Sequence, residues 1–233
     1  LQQPHLNQAQ IALEKELSLQ ALQRQQEDPF QRAFDGWRQL AYGQGPYGHD
    51  PLGVPGDLES LHHDHLIALA DRLNDGGSVL ALSGTIPEGI QTILQSYEES
   101  GRREKTSHSP DLTADPGQPD SSLTLNPVET EQVVMMLGQA TLPHGHPDDL
   151  ALRVLHAHLG SGMSSLLFRR LREDHGVAYD VGVHHPARQH SAPFVMHAST
   201  GVERAQLSLE LLMKSWEELL DTVIAKRDLD LAM

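Results

Sequence analysis

Histidine is the residue type through which this sequence could most readily do chemistry. It makes up 15 of the 233 residues, and imidazole both binds metal ions and transfers protons. The groups that lie close together in sequence include His62, His63 and His65; His144 and His146; and His156 and His158. None has the His-x-x-Glu-His or His-Glu-x-x-His order of a zinc peptidase helix, so we expect surface or capping histidines. The chain has no cysteine, which excludes thiol ligands and thiol nucleophiles.

A second group of candidate functional side chains is concentrated in the stretch LFRRLREDHGVAYDV, residues 167 to 181. Its apolar positions predict an amphipathic helix that leaves Arg169, Arg170 and Arg172 towards solvent or a cleft. Tyr179 follows a glycine that should end the helix. Arg172 and Tyr179 could both point at one bound chain, because guanidinium and phenol groups donate well to peptide carbonyls. The residues alone leave open that Arg172 pairs with a neighbouring acid and that Tyr179 is half-buried on a sheet.

The elements that must position these groups fall into two halves. Residues 1–100 read as helix, helix, loop, helix, strand and helix, and resemble the end of a domain. Residues 101–121 are polar and proline-rich, which predicts a linker. Residues 122–233 read as two strands, two helices, two strands and a long helix, the order of an antiparallel sheet with helices on one face. We therefore expect an α+β fold of two similar domains, the first incomplete, in a fragment of a longer polypeptide.

Charge and hydropathy restrict the partners. The formal net charge is −15, and such a field repels phosphate backbones, so we expect no nucleic-acid partner. No apolar run approaches the roughly 18 to 20 residues that cross a bilayer, so we expect no membrane insertion. The sequence leaves the compartment of this soluble chain open between cytoplasm and periplasm, if the source is bacterial.

The stretch GSGMSSLLFRRLREDHGVAYDV, residues 160–181, resembles the second-domain signature of the pitrilysin-like zinc metallopeptidases. This is the family of insulin-degrading enzyme and mitochondrial processing peptidase. Residues 27–61, with their Asp-Pro, aromatic-rich helix and Pro-x-Gly loop, resemble the first-domain segment that follows the metal-binding helix. The resemblance implies paired α+β domains and a second-domain Arg and Tyr that hold the peptide substrate. These two fall at Arg172 and Tyr179.

The sequence departs from this family where the metal should bind. Active members bind zinc through His-x-x-Glu-His and a distant Glu, and no His-x-x-Glu-His is present in this sequence. Ala21 stands at the expected Glu ligand position, and a shift of two residues gives Gln23. Neither side chain can replace the carboxylate, so we expect no metal ligand and no catalytic residue in this chain. Leu166 also stands where many members carry an Arg.

The resemblance and its departures together imply a non-catalytic, substrate-positioning subunit for peptide proteolysis. Its partner would be an active zinc peptidase subunit or a second copy of this chain, and the zinc is expected in the active partner. Two alternatives stay open. The chain could be part of an active zinc endopeptidase whose motif lies upstream of residue 1, or a structural dimerisation module without a role in proteolysis.

Overall fold

The chain forms two compact units. The computed structural model describes residues 5–43, 45, 47–75, 81–99, 123–221 and 223–232. The first unit comprises Leu1–Ser18 and Pro55–Thr113, and the second comprises Leu19–Val54 and Ala114–Met233. The predicted linker, residues 101–121, lies outside the described residues, so the predicted domain limits at residues 100 and 121 stay a prediction.

The described elements are mostly helical. The helices are α1 (Gln8–Glu27), α2 (Pro29–Tyr42), α3 (Pro55–Ser60), α4 (His63–Asp75), α5 (Ile90–Glu99), α6 (Asp149–Gly160), α7 (Ala205–Asp221) and α8 (Lys226–Ala232). A π-helix (Phe168–Asp174) and a 3₁₀ turn (Val202–Arg204) complete them. The strands are β1 (Gln132–Ala140), β2 (Asp180–His184) and β3 (Pro193–Gly201).

In the first unit, α1 and the residues just before it are hydrogen-bonded to α3 and α4. His63 Nε2 lies 3.1 Å from Leu6 O, and Lys15 Nζ donates to Glu59 O. A strand was predicted from the apolar run at residues 78–84, and the described part of that run, residues 81–84, is not in a strand. A strand needs a neighbouring strand that accepts its backbone N–H groups, and none is described beside this short apolar run.

In the second unit, the strands form an antiparallel sheet in the order β1-β3-β2. The central strand β3 is almost continuously buried, because it has a neighbour on each side and helices over both faces. Gly138 of β1 pairs with Val195, and a Cβ added there would lie 2.1 Å from Phe194 O. The two strands can therefore approach only because residue 138 has no side chain. The predicted α+β class is confirmed.

One face of this sheet is covered by helices from the second half of the chain, as predicted for an antiparallel sheet with helices on one face. Alternate residues of β3 point into this core, in keeping with the two-residue period of a strand. The core includes Leu159 of α6, Leu167 and Leu171 of the π-helical segment, Met196 of β3 and Leu212 of α7, all fully buried.

The other face is covered by α2, which comes from the N-terminal half of the chain. Asp28 caps this helix by accepting a hydrogen bond from Phe30 N (2.8 Å), and Pro29 occupies the first turn, where a missing N–H is harmless. The i, i+4, i+7 spacing of Phe30, Phe34, Trp37 and Ala41 predicts a buried face for this helix. Trp37 and Ala41 of that face, and the adjacent Tyr42, are buried against the sheet. The helix predicted to belong to the first half thus packs on the sheet of the second half.

Polar atoms of these aromatic side chains have partners. Trp37 Nε1 donates to Gly138 O (3.4 Å), and Tyr42 OH donates to Ser191 O (3.1 Å). Burial raises the pKa of Tyr42 well above its ordinary value, so its hydroxyl stays protonated and acts as a donor. Among the described residues, none of the helices combines the length and the apolar character that a bilayer crossing requires.

Candidate functional site

The segment that carries the predicted substrate residues is a π-helix rather than the predicted α-helix. Residues 166 and 167 are α-helical, and Phe168–Asp174 continues in the wider π form. Leu167 and Leu171 are fully buried and anchor the segment in the core. Seven residues of π-helix are unusual, and π-helical turns are frequent at functional sites. The apolar spacing is compatible with both helix types, so the sequence could not distinguish them.

The first two arginines of this segment are engaged within the protein. Arg170 Nη1 donates to Ser215 Oγ (2.9 Å) and its Nη2 donates to Glu218 (2.6 Å), so Arg170 ties the π-helix to α7. Arg169 forms an ion pair with Asp228 at 3.6 Å. The expectation that Arg170 faces solvent or a cleft is wrong, because its guanidinium is largely covered by the helix that follows β3.

Arg172 and Tyr179 differ from these two arginines. Arg172 is exposed, and its guanidinium carbon lies 5.1 Å from the centre of the Phe168 ring. Within the described part of the chain it forms no ion pair. Tyr179 is 61% exposed, and its backbone N–H donates to Ser199 O (2.8 Å). Arg172 therefore does not take the neighbouring acid as a partner, and Tyr179 is not half-buried.

The turn between these residues, 175–178, is held by side chains that come after it in the sequence. Gly176 has a φ of +60°, in the left-handed region that favours glycine, as expected for the residue that ends the helix. Arg204 Nη1 donates to Gly176 O (2.6 Å), and the buried Thr200 Oγ1 donates to Val177 O. Sequence reasoning missed Thr200 and Arg204, because no local spacing links them to a turn more than 20 residues earlier.

The predicted histidine groups do not form metal sites in the structure. His144 Nδ1 lies 2.8 Å from the buried carboxylate of Asp149, which also interacts with Arg153. Burial opposes ionisation of Asp149, but hydrogen bonds from His144, Gly145 and Arg153 outweigh it and lower the pKa of this carboxyl. This cluster lies at the beginning of α6, where the negative charge of Asp149 is favourable.

Three of the histidines whose pKa is lowered, His156, His184 and His197, lie on α6, β2 and β3. Burial, reinforced by the charge of Arg188, lowers the pKa of His184 to about 4. Burial also lowers the pKa of His156 and of His197. The His184 ring contacts Phe34 at 4.7 Å between centres, and His156 Nε2 lies 3.1 Å from Val183 O. Neutral imidazole packs in each place, so these residues act as core polar groups.

Zinc, which the family resemblance implies for active members, does not fit the residues that the structure describes. Among them, no group of three or more histidine, aspartate and glutamate side chains is placed to hold a metal ion. Ala21 lies in α1 and is partly covered, and Gln23 is exposed. A methyl group offers no ligand atom, so no step of metal chemistry is derived from this chain.

The comparisons with known proteins agree with this fold. A family profile described as "Peptidase M16 inactive domain" matches residues 72–233. The uncharacterized zinc protease YmxG of Bacillus subtilis (strain 168) is 26% identical over 230 residues, which are 95% of this chain and 53% of that protein. An uncharacterized zinc protease of Rickettsia felis is 27% identical over 207 residues, covering 88% of this chain and 48% of the relative.

Structural similarity covers nearly the whole chain. The crystal structure of a peptidase M16 inactive domain from Pseudomonas fluorescens superposes with a TM-score of 0.75 and 21% identity, covering 99% of this chain and 56% of that one. The chain thus spans about half the length of the relatives it matches. The resemblance to the pitrilysin-like metallopeptidases is confirmed, and the chain belongs to the peptidase M16 family, with residues 72–233 matching its inactive domain.

Proposed function

We propose that this chain is a non-catalytic, substrate-positioning member of the M16 family that pairs with an active zinc peptidase chain. In this role Arg172 and Tyr179 hold the peptide while the partner supplies the zinc. The observation that carries the proposal is the contrast within one segment. Arg169 and Arg170 are paired with acids, whereas Arg172 and Tyr179 present exposed donor groups on either side of a turn that other residues fix.

The chemistry of these two groups suits a peptide backbone. A guanidinium presents several N–H donors in one plane, and a phenol presents one O–H donor, so both can donate to carbonyl oxygens along an extended chain. The contact of Arg172 with the Phe168 ring restricts the guanidinium before a ligand arrives. Such preorganisation lowers the conformational entropy that is lost when a peptide binds.

The assignment of a non-catalytic role rests on residue chemistry. Ala21 occupies the position where the family resemblance places a carboxylate ligand, and loss of a carboxylate removes both a charge and a coordination position. The names of the sequence relatives, which are zinc proteases about twice as long, support a role in peptide hydrolysis. The activity, substrates and partners of the whole protein belong to this proposal.

The test uses the full-length protein, purified together with its peptidase partner, and a fluorogenic peptide that the complex cleaves. We expect Arg172→Ala and Tyr179→Phe each to lower kcat/KM by about tenfold, because each removes a donor to the substrate. The thermal unfolding midpoint should stay unchanged, since both side chains are exposed. Arg188→Ala is the matched control: its guanidinium also stacks on an aromatic ring, that of Tyr47 at 5.5 Å, away from the turn.

Two results would contradict the proposal. Turnover that is unchanged in both variants would show that these side chains do not hold the peptide. Stoichiometric zinc in the purified full-length chain without a partner, lost on chelation together with activity, would favour an active zinc endopeptidase instead.

A further inference from the structure

We propose that Arg204 and Thr200 are positioning residues of the peptide site, which set the geometry of Arg172 relative to Tyr179. This inference rests on the proposed function and extends it to residues that need not touch the peptide. Arg204 holds the carbonyl of Gly176, and Thr200 holds the carbonyl of Val177. Both carbonyls belong to the turn that separates the two substrate residues.

The hydrogen bonds form a continuous series along the turn. Gly176 O accepts from Arg204, Val177 O accepts from Thr200, and the N–H of Tyr179 donates to Ser199 O (2.8 Å). Their partners all lie at the end of β3 and in the 3₁₀ turn that follows it. At the other end, Val177 N donates to Leu171 O (2.8 Å), which joins the turn to the π-helix. The turn is therefore fixed both to the helix that carries Arg172 and to the central strand.

Arg204 is itself oriented by its neighbour. Its Nε lies 3.7 Å from a carboxylate oxygen of Glu203. A Cβ added at Gly201 would lie 2.8 Å from the same carboxylate group, so the absence of a side chain at residue 201 leaves room for it. The guanidinium is then directed by an acid on one side and by the Gly176 carbonyl on the other.

The bond from Arg204 matters because it is made to the exposed part of the turn, whereas Val177 and Ala178 are buried in the core. Residues 175 and 176 are exposed, and a glycine has more accessible backbone conformations than any other residue. If the bond from Arg204 is lost, Gly176 is freer to move and the spacing between the guanidinium and the phenol becomes variable. Displacements of about 1 Å at a binding constellation can cost two orders of magnitude in rate, so a partial loss is expected here.

Exposure makes Arg204 the better residue for a test. The Arg204 side chain is about half exposed, so its removal should act locally. Thr200, in contrast, is fully buried in β3, and Thr200→Val serves as the second variant because it keeps the shape and removes the hydroxyl donor. A buried substitution of this kind also affects stability, so Arg204 carries the main argument.

The experiment compares Arg204→Ala, Arg204→Lys and Arg172→Ala in the full-length protein with its partner. Hydrogen exchange, read by mass spectrometry, should accelerate in peptides that cover residues 175–179 in Arg204→Ala. Turnover of the fluorogenic peptide should fall about fivefold in kcat/KM, with partial recovery in Arg204→Lys, which keeps one charged donor. In the Arg172→Ala background, Arg204→Ala should cause little further loss, because coupled residues are not additive.

The outcomes separate this inference from the proposed function. If Arg172→Ala lowers turnover but Arg204→Ala changes neither exchange nor turnover, the positioning role is wrong and the proposed function stands. If the losses from Arg172→Ala and Arg204→Ala simply add, Arg204 acts by another route and the inference is overturned. If Arg172→Ala leaves turnover unchanged, the proposed function fails, and the substrate role of Arg204 fails with it even where exchange accelerates.

Discussion

At the scale of single residues, identical side chains a few positions apart have different surroundings. Arg169 and Arg170 each face an acid from a later helix, while Arg172 lies on the Phe168 ring and stays exposed. A charge already neutralised by a close, half-buried carboxylate has little to offer a ligand. Within this segment, the partners of each arginine therefore decide which guanidinium is left available to a ligand.

Burial distinguishes the histidines in a similar way, because it lowers the pKa of some of them. His184 has a pKa of about 4, and its neighbours include four basic groups that disfavour a further positive charge: Arg188, His197, His156 and His185. In the unfolded chain the same imidazole should titrate near 6.5. Between about pH 4 and 6.5, the His184 imidazole is therefore mostly neutral in the folded chain and mostly protonated in the unfolded chain.

This difference predicts a pH dependence of stability. The contribution of neutral His184 is fully present above pH 6.5, declines as the pH falls from 6.5 towards about 4, and changes no further below that. Urea unfolding between pH 4 and 7 should show the free energy of unfolding falling with acidity. His184→Asn should reduce that slope, and His49→Asn, at an exposed position, should leave it as it is. Equal slopes in wild type and His184→Asn would contradict this assignment.

At the scale of elements, the sequence was sufficient where periodicity decides the structure. The i, i+4, i+7 spacing of the aromatics predicts the buried face of α2, and Trp37 and Ala41 are buried on that face. It was insufficient where the partner is distant in sequence. Neither the pairing of Arg170 with Glu218 nor the bond from Arg204 to Gly176 leaves a local pattern. The prediction that Arg172 and Tyr179 form a site came from the family resemblance. Spacing alone left open that Arg172 pairs with an acid and that Tyr179 is half-buried.

The ion pair of Arg170 and Glu218 is expected to fasten the π-helix to α7. Glu218→Gln should lower the free energy of unfolding by about 1 to 2 kcal/mol, because it leaves a largely covered guanidinium without its counter-charge. Lys214→Gln is the control: Lys214 Nζ lies 4.0 Å from the same carboxylate group but is largely exposed, so the loss should be below about 0.5 kcal/mol. Similar losses from the two variants, measured by urea unfolding, would show that Arg170 is not the main partner.

At the scale of the whole molecule, the position of α2 bears on where one folding unit ends. The helix precedes the predicted linker by about 60 residues of sequence, yet it packs with β1 and β3 in the second compact unit. A compact unit made of two separated segments, Leu19–Val54 and Ala114–Met233, does not follow from a composition boundary at residues 101–121. The packing of Trp37 and Tyr42 against Val195, which is distant in sequence, places α2 in this unit.

The two tryptophans of the chain allow this organisation to be tested, because they lie on opposite faces of the sheet. Trp37 packs from α2, and Trp216 of α7 contacts Phe194 with ring centres 6.4 Å apart. In Trp37→Phe and Trp216→Phe variants the remaining tryptophan reports one face. Fluorescence should give unfolding midpoints that coincide with the far-ultraviolet circular dichroism of each variant, as for a cooperative unit. An earlier transition at Trp37 than at Trp216 would show that α2 unfolds separately.

The π-helix has a consequence for how sequences of this kind should be compared. A π-helix holds more residues in each turn than an α-helix. The same sequence therefore points its side chains in different directions in the two helix types. Insertion or deletion of one residue within Phe168–Asp174 would rotate the arginines relative to the buried Leu171. One residue inserted before Arg169 would bring Arg169 into the place of Arg170 opposite Glu218, and Leu171 into the exposed place of Arg172. The helical phase of this segment, and not only the presence of an arginine, therefore determines which residue is available to a ligand.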